Sequence, residues 1–307
     1  MRGRLAAQVA LGSVAMQRPS AALTRSFAKV CDLPDFRERE IAALIPEIAP
    51  THRPDHPHRK SWEYAMTALF LRDLHYLDGG ASVLDVGAGT AEILFWLAQR
   101  VTRVVAVDIY GRGGFREREA TRAFLEDPTT FAPYDYPANR LEVRDMDGRS
   151  LVFPDETFDA AVSLSSIEHF GNFDDIARAV REIARVVKRG GHVFLVTEVF
   201  IRHHPADRLI DLLTGVPPRF AVRRSSFRLR GDVFRPHELQ TRLIEPSGLR
   251  LMQPLDLSLS GETRANVQRM RRDGTVRPSA GATYPHVLMQ TGRSQFTSVC
   301  LPLEKPP

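Results

Sequence analysis

Two carboxylates and a pair of glycines are spaced in this chain as a ligand-binding turn. The run Val83-Leu84-Asp85-Val86-Gly87-Ala88-Gly89-Thr90-Ala91-Glu92 passes from an apolar stretch into a helical one. Glycines at a strand-to-helix turn let the backbone approach a ligand closely, and a helix N-terminus offers unpaired amides. Gly-x-Gly alone says little, because a dinucleotide fingerprint asks for a small third residue where Glu92 stands. The acid two residues before the first glycine says more. A nearby carboxylate repels a pyrophosphate and attracts an ammonium, so Asp85 suits the amino group of an amino-acid-bearing nucleotide, directly or through water. Asp108 ends Val104-Val105-Ala106-Val107-Asp108 about twenty residues further on, where a carboxylate can accept both hydroxyls of a ribose. Alone it would read as a cap or turn residue; after Asp85 and the glycine pair the nucleotide reading prevails.

A second group follows a later apolar run: Ser163-Leu164-Ser165-Ser166-Ile167-Glu168-His169-Phe170-Gly171. Glu168 and His169 are the one adjacent acid and imidazole placed just after a strand. An imidazole titrating near neutrality can remove a proton from a hydroxyl; the plainer role is to pack under a ligand or to anchor the loop. Glu198, in Val196-Thr197-Glu198-Val199, is the next candidate to face an acceptor. His52 to Lys60 holds three histidines and Asp55, but Pro54 and Pro57 prevent a helix that would align them. This segment reads as a solvated or substrate-side loop, and no metal site is expected.

The elements that must position these groups alternate. Ser61 to Leu77 is predicted as a helix capped by Ser61, with Glu63 in its first turn and Trp62, Met66, Leu69, Phe70, Leu74 and Leu77 at helical spacing. Strands are expected over Ser82–Val86, Arg103–Val107, Arg140–Arg144, Thr157–Leu164 and His192–Val199. Helices are expected over Ala91–Arg100, near Phe115–Leu125 and over Asp174–Val187. Such alternation implies a doubly wound α/β fold with a parallel sheet covered on both faces. A helix over Glu238–Leu249 ended by Gly248, a strand over Leu249–Leu257 and a hairpin flanking Gly292 would finish the sheet antiparallel.

The 307 residues are 43% hydrophobic and 26% charged, which excludes a disordered or fibrous chain. The stretch Leu5 to Met16 is interrupted by Gln8 and Ser13 and is too short to span a bilayer, which needs roughly twenty residues. Cys31 and Cys300 are too few for a disulfide framework, so a reducing cytoplasm is the expected compartment. The net charge is +5, but only Lys29, Lys60, Lys188 and Lys305 of the 42 basic residues are lysines. No aromatic-interleaved basic patch accompanies the arginines, and nucleic acid is not an expected partner. Met1 to Val30 has no acid. It reads as a basic arm, with organellar targeting or weak peripheral contact with a membrane as alternatives.

From Val83 to Val199 the sequence resembles the class I S-adenosylmethionine-dependent methyltransferases acting mostly on small molecules. Beyond the Asp85 turn, Asp147-Gly148-Arg149-Ser150-Leu151-Val152-Phe153-Pro154-Asp155-Glu156-Thr157-Phe158-Asp159 is similar to that family's approach to its fourth strand. Ala179 to Gly191 is similar to its helix and glycine pair before the fifth. Arg189 stands where proline is common, and Ala91 where a third glycine often does. The resemblance implies a Rossmann-like, seven-stranded, mostly parallel sheet with an antiparallel C-terminal hairpin strand, and S-adenosyl-L-methionine as cofactor. It implies that Asp85, Gly87, Ala88, Gly89, Asp108, Ile109 and Ser163 line the cofactor. Asp147 would hold the adenine amino group between Met146 and Gly148, with Asp145 as the alternative if the register slips by two.

The expected organisation is a basic arm and His/Pro linker (1–60), a cofactor-binding core (61–200), an arginine-rich insertion (201–235) and a C-terminal completion of the sheet (236–307). The insertion reads as a solvated basic surface or a lid whose guanidinium forks would suit a phosphate or carboxylate on the acceptor. In-line methylation of an oxygen on a small molecule or saccharide, the latter anionic if the lid reading holds, is the expected reaction, with His169 and Glu168 as catalytic candidates. The rivals are a nicotinamide-dependent oxidoreductase or epimerase, against which stand Asp85, Glu92 and the lack of a Tyr-x-x-x-Lys pair, and a non-catalytic nucleotide-binding module.

Overall fold

Apolar runs make the central strands, which span from five to sixteen residues. The computed structural model describes residues 23, 25–52, 56–207, 233–272, 285–291 and 293–307. The strands are β1 (Ser82–Val86), β2 (Arg103–Asp108), β3 (Leu141–Asp145), β4 (Phe158–Leu164), β5 (Val187–Arg202), β6 (Arg250–Leu251), β7 (Met289–Thr291) and β8 (Ser294–Glu304). One sheet runs β3-β2-β1-β4-β5-β8-β6, with β7 paired to the start of β8. The first five strands are parallel; β8 runs antiparallel to β5, β6 and β7. The order reverses between β1 and β4, and ligands of such sheets bind beyond the carboxyl ends at that switch point.

Alternation along the strands builds two cores. Val83, Val104, Ala106, Val162, Phe194 and Val196 face the helices α1 (Arg39–Ile48), α2 (Arg59–Asp73) and α3 (Ile93–Ala98). On the other face Leu84, Val105, Ala161, Val193 and Leu195 pack with Ile176, Val180 and Ile183 of a later helix, Phe173–Val186. Asn172 starts that helix with a capping box, its side chain accepting from the amides of Asp174 and Asp175. Met66, Leu69 and Phe70 of α2 are fully buried, each contributing about 1.5–3 kcal/mol.

Several boundaries differ from the expectation. α2 starts two residues before Ser61. His58 has extended backbone and its Nδ1 accepts from the Lys60 amide at 3.1 Å, so His58 is the cap and Ser61 is buried. The helix near Phe115–Leu125 shrinks to α4 (Arg122–Glu126), because the glycines at 111, 113 and 114 give no helical support to the residues before it. That makes the Phe173–Val186 helix α5. The strand over Leu249–Leu257 pairs only at Arg250–Leu251, and the expected hairpin flanking position 292 is present, its first arm reduced to β7 (Met289–Thr291).

Three stretches expected to carry no regular element are ordered. The segment expected as arm and linker holds α1 (Arg39–Ile48). Lys29, Val30 and Cys31 bond to Ser298, Val299 and Cys300 of β8 and to Asp256, and Gly261–Arg272 is a helix. Most of the basic arm (1–22 and 24) and of the arginine-rich insertion (208–232) lies outside the described residues. No helix among the described residues is long and apolar enough to cross a membrane.

Candidate active site

The penultimate residue of β1 is an acid with nothing to bond. Asp85 is 1% exposed and neither carboxylate oxygen has a hydrogen-bond partner. Burial pushes its carboxyl up to about 7; Lys60 works against the shift and Asp108 adds to it. A buried carboxylate without a partner is costly, and an ammonium beside it would remove most of that cost.

The turn that follows is held from β2. The amides of Gly87 and Ala88 both donate to the Val107 carbonyl, at 2.8 and 3.1 Å, and that of Gly89 to Asp108 Oδ2 at 3.0 Å. Three consecutive amides are thus used internally and are not offered to a pyrophosphate, which counts against the nicotinamide alternative. Gly87 and Gly89 have φ of +75° and +54°. A Cβ at Gly87 would lie 2.5 Å from that of Ser166, and one at Gly89 2.5 Å from the Glu119 carbonyl. Asp108 accepts also from the Ile109 amide at 2.7 Å. Two backbone donors leave its carboxylate, only partly buried, with lone pairs to spare for hydroxyls.

β3 ends opposite β2, Asp145 beside Asp108. Asp147 lies two residues on, held by the Arg149 amide at 2.9 Å and clamped by its guanidinium at 2.6–3.1 Å. That pairing, ahead of burial, keeps the Asp147 carboxyl low. Asp145 is exposed and bonds Arg112. Met146 is anchored through its amide to the Asp108 carbonyl. Gly148 is needed for space: a Cβ there would meet Phe170 at 2.6 Å and Val86 at 2.7 Å. The Phe170 ring lies against both Gly87 and Gly148, a contact with no local signature in the sequence.

At the end of β4, Ser163 is fully buried with its hydroxyl unpaired. Glu168 and His169 share a single 3-10 turn, Ile167–His169, but go separate ways. Glu168 is 1% exposed, accepts from Thr197 Oγ1 at 2.9 Å, and is pushed up by burial, with His169 opposing and Glu198 adding. His169 is exposed, its ring 4.7 Å from that of Phe115, and its charge acts on both Glu168 and Asp108.

The structure adds a polar cluster beside these residues. Arg59 pairs with Glu63 at 2.9 Å and with Glu198 at 2.6 Å, and bonds Ser165 and Ser298, each at 3.1 Å. Glu63, fully buried, also accepts from Ser165 at 2.8 Å, Ser298 at 2.6 Å and Lys60 at 3.1 Å. Burial alone would raise its carboxyl, but Lys60, Arg59 and the two serines bring it down to about 2. The sequence held one clue to this: a glutamate inside the run Trp62-Glu63-Tyr64-Ala65-Met66. The His/Pro segment is less solvated than expected. His58 stacks on His286 at 4.3 Å and burial, then His286, lowers it to about 3. Among the described residues no three His, Cys, Asp or Glu are grouped to hold a metal.

This geometry coincides with a family match: residues 84–195 fit the model described as a methyltransferase domain. The chain contains a class I S-adenosylmethionine-dependent methyltransferase domain. A curated relative, an uncharacterized methyltransferase of Bacillus subtilis, is 27% identical over 51% of this chain and 56% of its own length. A phosphatidylethanolamine N-methyltransferase of Cereibacter sphaeroides is 34% identical over 38% of this chain and 50% of its own. The chain thus spans about half the length of these curated relatives. Among solved structures, a geranyl diphosphate C-methyltransferase of Streptomyces coelicolor is 13% identical, with 93% of this chain and 90% of that one covered and a TM-score of 0.46. The methyltransferase domain supplies Asp85, Asp108, Asp147, Glu168 and His169; Arg59, Lys60, Glu63, Glu198 and Ser298 come from outside it.

Proposed function

We propose that the chain transfers the methyl group of S-adenosylmethionine to an oxygen of a small molecule or saccharide. The observation that carries this reading is Asp85, a buried carboxylate with two unpaired oxygens at the switch point of the sheet. The residues present fit such a cofactor. Asp85 would hold its ammonium and Asp108 its ribose hydroxyls. Met146 and Gly148 would border the adenine, whose amino group would share the Asp147 carboxylate with Arg149.

When bound, the cofactor would supply a methyl group activated on a sulfonium, open to in-line attack at its carbon with S-adenosylhomocysteine as the leaving thioether. The chain's work is then positional. α2 closes the strand ends from one side, and the loop bearing Phe115 lies against His169. His169, exposed at that rim, is the group to take the acceptor's proton, and Glu168 behind it favours the imidazolium electrostatically. Arg59 is committed to Glu63 and Glu198, so an anion on the acceptor would be met by the arginines of 202–230, Arg223 and Arg224 among them. Of these, 208–230 lie outside the described residues.

Calorimetric titration with S-adenosylmethionine and with NAD, repeated on Asp108→Ala, tests the reading. Binding of the former alone, lost in the variant, is expected. Preference for NAD would overturn it, and binding of neither would favour the non-catalytic module.

A further inference from the structure

Lys60 stands on the first turn of α2, outside the segment matched by the family model, yet its ammonium lies among the ends of the central strands. Nζ donates to the carbonyl of Leu164, the last residue of β4, at 2.9 Å, and to Glu63 Oε2 at 3.1 Å. Those are two of its three donors. The side chain is 31% exposed, and the Glu63 it touches is already held by Arg59, Ser165 and Ser298. Lys60 therefore has a proton to give to something arriving from solvent.

Strand alternation places Asp85 on the same face as Val83, which packs in the core beneath α2. Val162, its register partner on β4, lies in that core too. Lys60 is the cation whose charge acts on Asp85, yet the two do not bond: both Asp85 oxygens are without a partner. A cation with a spare donor and a buried carboxylate with none thus flank one patch above the switch point.

Opposite charges held near each other but apart match a zwitterion. An α-amino acid head group carries an ammonium and a carboxylate on one carbon, and can meet both at once. Asp85 alone would accept any amine; Lys60 adds a demand for the carboxylate. We propose that Lys60 and Asp85 form the subsite for the amino-acid end of the cofactor, Lys60 donating to its carboxylate and Asp85 accepting from its ammonium. The assignment rests on the cofactor reading above and makes α2, from the N-terminal part of the chain, a direct part of the binding site.

The test is calorimetric titration of the full chain with two ligands. S-adenosylhomocysteine has the amino-acid end; 5′-methylthioadenosine shares the nucleoside and thioether and lacks it. Lys60→Gln is expected to weaken S-adenosylhomocysteine about tenfold to a hundredfold, the range of a charge-assisted hydrogen bond, and to leave 5′-methylthioadenosine unchanged. Equal weakening of both ligands, or of neither, overturns the subsite. Should the variant not fold, the unaltered chain answers the question with decarboxylated S-adenosylhomocysteine, which keeps the amine. It is expected to bind more weakly by a similar factor, and equal affinity would overturn the proposal. An unaltered chain that binds neither S-adenosylhomocysteine nor S-adenosylmethionine would instead overturn the cofactor reading itself.

Discussion

Arg59 and Glu198 meet at 2.6 Å, joining the first turn of the N-terminal helix α2 to the far part of β5. The guanidinium also holds Glu63, so one cation compensates two carboxylates that are respectively buried and nearly so. Removing it takes the guanidinium from Glu198 and leaves Glu63 with Lys60, Ser165 and Ser298 alone. Arg59→Ala is expected to cost about 3–5 kcal/mol, read as a lower denaturant midpoint at unchanged slope. In the Arg59→Met/Glu198→Gln double variant the losses should not add. Additive losses would mean that the pair contributes little to the joint.

Asp85 sets a pH dependence. Burial pushes its folded carboxyl up to about 7 from an ordinary 3.8, so between these values the folded chain holds more protons than the unfolded one. Stability from this group is full below about pH 4 and is lost as pH rises through 7. Asp85→Asn should remove that part of the decline, so the stability of the variant relative to the unaltered chain should rise between pH 5 and pH 8. Parallel unfolding curves at the two pH values would contradict it.

The same carboxyl predicts proton release on binding. An ammonium favours the ionised form, so cofactor binding near pH 7 should expel part of a proton. Calorimetry in two buffers of different ionisation enthalpy should give different apparent heats for the unaltered chain and a reduced difference in Asp85→Asn.

His169→Ala is expected to lower turnover about a hundredfold to ten-thousandfold if the imidazole takes the acceptor's proton, with cofactor affinity unchanged. Rates that survive intact would reduce His169 to a packing partner of Phe115.

Gly89→Ala tests the turn. The new methyl group would sit 2.5 Å from the Glu119 carbonyl at φ +54°, and about 1–3 kcal/mol of strain should appear as a lower melting temperature together with weaker cofactor binding. A variant as stable as the unaltered chain would show that the 109–120 loop yields easily.

Much of the sheet was legible because buried parallel strands are short apolar runs, and the turns after β1 and β2 carry their acids openly. Asp85 and Asp108 could be singled out before any coordinates, since local spacing alone fixes them at strand ends. Arg59, Lys60 and Glu63 could not be. They lie in a stretch that reads as a linker passing into an ordinary helix, and their partners Ser165, Glu198 and Ser298 are more than 100 residues away. The pairing of Lys29–Cys31 with β8 escaped for the same reason: two short segments, neither patterned as a strand partner of the other. Glu168 and His169 looked alike in sequence; a single 3-10 turn sends one inward and the other to solvent.

The hydrogen bond from Ser298 to Glu63 spans 235 residues, and synthesis makes the glutamate first. At ribosomal rates of about 5–20 residues per second, Glu63 waits roughly ten seconds to most of a minute for that serine. During that interval α2 can dock on the early strands, but its charged end lacks the partners from β5 and then from β8. Until then Glu63 has only the cations of its own turn, Arg59 and Lys60, and the arrival of β8 supplies the last of its hydrogen bonds, from Ser298.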